Sequence, residues 1–70
     1  MQLDIDYIKT IMDANEIKPK SLAKRLNKTD SWTYLMLQGK AGRTFKIVEQ
    51  LAKALRCRER DVIKFKNMHI

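Results

Sequence analysis

Pro19 to Lys40 reads PKSLAKRLNKTDSWTYLMLQGK. Its apolar side chains recur at helical spacing in two groups, first Leu22, Ala23 and Leu26, then Trp32, Leu35 and Met36. Asn27-Lys28-Thr29 lies between them as a short break, and Gly39 closes the second group. The stretch holds five bases against one acid, Asp30, and Lys18 and Arg43 flank it. Two short helices joined by a tight turn and wrapped in positive charge suit the insertion of one helix into a polyanionic groove. Double-stranded DNA is the partner this points to.

The rest of the chain extends that reading. Residues 1–17 carry one base against four acids, and residues 18–70 carry fourteen bases against four acids, within a net charge of +7. Acid gathered at one end favours a directed electrostatic face over a merely solvated surface. Seventy residues, 44% of them hydrophobic and 33% charged, make one domain, 1–70, near the lower size limit for a core without metals or disulfides. No apolar run approaches the ~20 residues needed to cross a bilayer. The acidic N-terminal stretch lacks the apolar segment of a secretory signal. A single cysteine, Cys57, forms no internal disulfide, so a reducing cytoplasm is the expected compartment.

Helical periodicity persists throughout, and the fold class expected is all-α, a compact bundle of five short helices. The first runs from about Asp4 to Asn15 with Ile5, Ile8 and Met12 on one face; the second covers Pro19 to Leu26. The third begins after Thr29, whose hydroxyl caps it, and ends at Gly39. Thr44 caps the fourth, in which Val48, Leu51, Ala52 and Leu55 follow the i, i+3, i+4, i+7 pattern. A fifth helix of about two turns spans Arg58 to Lys64, burying Val62 or Ile63, and residues 65–70 are a strand, a helical extension or frayed chain.

Three stretches together carry a resemblance: Ser21-Leu22-Ala23-Lys24-Arg25-Leu26, Leu35-Met36-Leu37-Gln38-Gly39-Lys40, and Val48-Glu49-Gln50-Leu51-Ala52-Lys53-Ala54-Leu55. In this order and spacing they resemble the lambda-repressor-like, Cro/CI-type helix-turn-helix domain over roughly residues 5–64. Three positions depart from that pattern. Lys28 stands where a buried apolar residue is usual, Lys18 where a capping serine is usual, and Thr33 where a core aliphatic is usual. Simple periodicity buries Trp32, Leu35 and Met36 together, whereas the family register turns Thr33, Met36 and Leu37 inward and leaves Trp32 and Leu35 near the groove.

The resemblance implies a recognition helix entering the major groove. By family position Thr29, Asp30, Ser31 and Leu35 approach base edges, with Trp32 and Tyr34 alongside. Leu35 is suited to a thymine methyl, and Asp30 either accepts from a cytosine amino group or only caps its helix. Phosphate contacts fall to Gln38, Lys40 and Arg43 after the recognition helix, to Lys18 and Lys20 at the start of the second helix, and to Lys28. The fifth helix and the apolar tail of Val62, Ile63, Phe65, Met68 and Ile70 are the surface available for a homodimer; the other reading is that these side chains simply complete the core. The competing reading is a helical protein-interaction module docking an acidic partner through Trp32, Tyr34 and Leu35.

Catalysis has no support. There is no nucleophile set, paired carboxylate pocket or Gly-rich phosphate loop, and His69 is the only histidine, so no metal, cofactor or small-molecule ligand is expected. Cys57 reads as a small core hydrophobe.

Overall fold

Local end-capping chemistry decides where the helices lie. In a computed structural model that describes residues 2–64, four α-helices follow one another: α1 (Ile5–Ala14), α2 (Pro19–Leu26), α3 (Asp30–Leu37) and α4 (Phe45–Leu55). Three start on a side chain that satisfies a free amide. Asp4 Oδ1 accepts from the Tyr7 N–H at 3.1 Å, Thr29 Oγ1 from the Trp32 N–H at 3.1 Å, and Thr44 Oγ1 from the Ile47 N–H at 3.3 Å. Lys18 supplies no such bond to α2; Pro19 opens that helix instead, with its ring already set to a helical φ.

The helix ends are as specific. Asn27, at φ 58° and ψ 45°, is the left-handed residue that breaks α2 from α3, and the Lys28 N–H returns to the Ala23 carbonyl at 2.9 Å. After α3, Gly39 at φ +80° lets its own N–H and that of Lys40 reach back to Met36 and Leu35, both at 2.9 Å. Glu16 and Arg56 take left-handed conformations after α1 and α4 without being glycine.

These ends fold the helices onto one core. Ile8 and Met12 of α1, Leu22, Ala23 and Leu26 of α2, and Val48, Leu51, Ala52 and Leu55 of α4 are all buried as their spacing predicts, together with Ile47. α2 packs on α3 and on α4, so the helical pair is braced from behind by a third helix. Arg25 Nη1 donates to the Ala54 carbonyl at 2.9 Å, tying α2 to the end of α4 where the helix dipole favours a cation.

Two expectations need correction. The fifth helix is not an α-helix of two turns but a single 3-10 turn, Glu59–Val62, followed by extended chain. One turn suffices to bury Val62, and Ile63 then pairs antiparallel with Leu3, with the Asp4 N–H on the Val62 carbonyl at 2.9 Å and the Lys64 N–H on the Gln2 carbonyl at 2.8 Å. The second correction concerns α3. Its inward side is Thr33, Met36 and Leu37, while Leu35 is 45% exposed, so the stripe Trp32–Leu35–Met36 does not hold and the family register does, except that Trp32 is half-buried on the flank. The Thr33 hydroxyl is satisfied by donating to the Thr29 carbonyl at 2.9 Å, which is how a polar residue sits in a core position. Phe65, Met68, His69 and Ile70 lie outside the described residues. Among the described residues no helix is long and apolar enough to cross a membrane.

Gly42 is the more closely packed of the two glycines. Its φ is +84°, and a Cβ there would meet Met36 Cγ at 3.0 Å, Ile47 Cγ2 at 3.3 Å and Trp32 Cη2 at 3.4 Å. Gly39 has a similar φ and open space around it. Gly42→Ala is therefore expected to cost about 2–3 kcal/mol and Gly39→Ala about 1 kcal/mol, the difference being the clash. Urea unfolding of the two variants checks the order; equal losses would show that the loop gives way freely at Gly42.

Candidate nucleic-acid interface

With Thr33, Met36 and Leu37 turned inward, the helical repeat of about 100° per residue sets the rest of α3. Ser31, Leu35 and Gln38 fall on the side facing away from the core, one above another at i, i+4 and i+7. Tyr34, 55% exposed, stands on one flank and Trp32, half-buried, on the other. Asp30 is exposed at the first position of the helix, where its charge suits the dipole. Thr29 is exposed too, but its hydroxyl oxygen already accepts from the Trp32 N–H, which uses one of its two lone pairs and fixes the direction in which the rest of the group can bond. The predicted base-contact residues are thus brought together at one end and one side of a single helix, with Trp32 set apart.

The predicted phosphate contacts surround that side unevenly. Lys18 and Lys20 are exposed at the start of α2, and Lys40 is exposed just beyond α3. Arg43 is also exposed, yet its Nη2 donates to the Gly39 carbonyl at 2.9 Å, so it closes the end of α3 with part of its guanidinium and keeps the remaining donors free. Lys28 leans inward: its Nζ lies 5.2 Å from the Trp32 ring centroid. The cation over the indole face gives this lysine a partner at a position where an apolar residue is expected from the resemblance.

Trp32 in turn lines a groove of about 380 Å³ between the turn and the start of α4, with Lys28, Gly42, Thr44, Lys46 and Gln50 among its walls. No acid lines it, and the Gln50 Oε1 is buried there without a hydrogen-bond partner among the described residues. On the opposite side, Gln38 and Arg43 share a hollow of about 300 Å³ with Asp4, Asp6 and Lys64. The acid-rich start of the chain therefore folds back beside the end of α3. Separation of charge along the sequence does not become separation in space at that point.

Two exposed residues at this end were not assigned from the sequence. Phe45, 74% exposed, and Lys46 open α4 immediately after the Thr44 cap. The only available signal was position. Phe45 lies roughly a quarter turn off the centre of the buried face of α4, and Lys46 points almost directly away from it.

Cys57 packs partly buried against the core, and burial first, then the charge of Asp61, raises its pKa, which keeps it a neutral, unreactive thiol. Among the described residues no cluster of three His, Cys, Asp or Glu side chains is placed to hold a metal ion. A family model described as a Cro/C1-type HTH DNA-binding domain matches residues 7–67. No curated protein and no solved structure matches the chain.

Proposed function

The chain belongs to the Cro/C1-type helix-turn-helix family of DNA-binding domains, and on that premise we propose that it is a sequence-specific transcriptional regulator of the phage or mobile-element repressor type. α3 reads the major groove of double-stranded DNA, working in the cytoplasm and without cofactor or catalytic step. The observation that carries this is the outward side of α3. Ser31, Leu35 and Gln38 project from a helix whose inner residues are locked in the core, with Lys28, Lys40, Arg43 and Lys46 close by in the chain. Ser31 and Leu35 offer a hydroxyl and an apolar contact to base edges, and the lysine and arginine side chains hold the phosphates.

Selection from a random duplex library with the purified protein tests the proposal. An enriched motif of a few base pairs is expected, with affinity falling steeply as salt rises. Repeating the selection with Asp30→Ala should relax preference at one base pair; an unchanged motif assigns Asp30 to helix capping alone. A symmetric motif with half-sites about one helical turn apart would support a homodimer. Val62 is fully buried and cannot serve as a seam; Phe65, Met68 and Ile70 lie outside the described residues.

The exposed Tyr34 and Leu35 favour one second reading, a protein-interaction module gripping an acidic partner. No enriched duplex, and a flat response to salt, would decide for it.

A further inference from the structure

We infer that Trp32 is a positioning residue: braced by Lys28 across its face and by Gly42 at its edge, it holds the basic α3–α4 loop at a fixed distance from the reading side of α3 and touches no base. This rests on the regulator reading and deepens it.

Three observations converge on the indole. Its helix position is on the flank of α3, off the line through Ser31, Leu35 and Gln38, and it is half-buried where Leu35 and Tyr34 are open. Its Cη2 lies 3.4 Å from where a Gly42 side chain would begin, so the ring edge leaves no spare room for a side chain at that point of the loop. The Lys28 ammonium, 5.2 Å above the centroid, pins the ring from the helix-turn-helix turn. The groove that the ring walls continues to Thr44 and Lys46 at the start of α4. One rigid side chain thereby joins the turn, the recognition helix and the loop.

The consequence for binding follows from spacing. Lys40, Arg43 and Lys46 all leave the chain within four residues of Gly42. Phosphates along a duplex are regularly spaced, so these cations are useful only at a set distance from the groove entered by α3. A loop free to wander would lose ordering entropy on each binding event. An indole has few rotamers and a large contact area, which suits it to remove that freedom beforehand.

The test uses the duplex enriched by the wild-type protein, with Trp32→Ala, Trp32→Phe, Lys28→Arg and Lys28→Met. Trp32→Ala should weaken binding about tenfold and reduce the salt slope by about one to two units, while its selected motif stays that of the wild type. Trp32→Phe, which keeps a ring, should recover most of the loss, and Lys28→Arg should behave as wild type. Lys28→Met should shift the emission of Trp32 in the free protein. In the wild-type complex, acrylamide should quench Trp32 almost as well as in the free protein. A changed base preference in Trp32→Ala, or strong shielding of the indole by DNA, would overturn the inference and make Trp32 a base contact. Circular dichroism reports whether Trp32→Ala folds; if it does not, Trp32→Phe, the lysine variants and the quenching comparison decide. Failure of the wild type to bind any duplex sinks the regulator reading and this inference with it, whereas the other adverse outcomes sink the inference alone.

Discussion

Leu51→Ala is expected to remove about 3 kcal/mol of stability and to leave much of the free domain unfolded at 37 °C. Leu51 is fully buried in α4, the helix on which α2 packs and against which the 3-10 turn closes. A domain of this size has only about 3–5 kcal/mol to lose. Removal of a buried leucine takes away the transfer energy of its carbons and leaves a cavity that short helices cannot fully collapse around. If the regulator reading holds, a cognate duplex in hundredfold excess over its dissociation constant should restore about 2.7 kcal/mol, because it binds only the folded form. Thermal unfolding followed by circular dichroism, with and without duplex, measures both numbers. A loss below about 1 kcal/mol would mean that Leu51 is not at the centre of the packing.

The second large effect concerns binding. Replacement of both Lys40 and Arg43 by alanine should flatten the salt dependence by about two units and weaken binding roughly a hundredfold at low salt, with the selected motif unchanged. Both side chains are exposed on the loop that follows α3, so neither replacement disturbs the core. They differ in one respect. Arg43→Ala also removes the bond to the Gly39 carbonyl and should cost about 1 kcal/mol of stability, whereas Lys40→Ala should cost none. The two contributions separate cleanly when unfolding and binding are measured on the same variants. An unaltered slope in the double variant would show that DNA, if bound, is held on another surface.

Much of this architecture was readable from residues because capping is local. Thr29, Thr44 and Gly39 act within a few residues of themselves, so their chemistry is visible in any window of sequence. The face of α4 was equally plain, since its apolar residues concentrate on one side. α3 resisted the same approach. Trp32, Tyr34, Leu35, Met36 and Leu37 are apolar almost all the way round, so periodicity had nothing to select, and only the family register distinguished Leu37 from Leu35. The 3-10 turn was hidden for another reason. Nothing in Arg58 to Lys64 records that pairing with Leu3 takes over once Val62 is buried.

At the candidate interface, residue type was legible but partnership was not. Lys28 and Arg43 were both read as cations free to meet phosphate. One lies against an indole and the other is bonded to a carbonyl, and each attachment is made across a turn that folding alone brings together. Phe45 escaped notice because an exposed phenylalanine has no sequence signature; its burial is a property of neighbours.

The pairing of Gln2 with Lys64 has a practical consequence. Both ends of the described chain emerge at the same spot, on the rim of the hollow that also holds Gln38 and Arg43. A bulky group attached at Gln2 or at Lys64 is thus held beside the exit of α3, where, on the proposed reading, its bulk and charge bear on nucleic-acid access. Moving it between these two positions changes little; a long, uncharged spacer is the remedy.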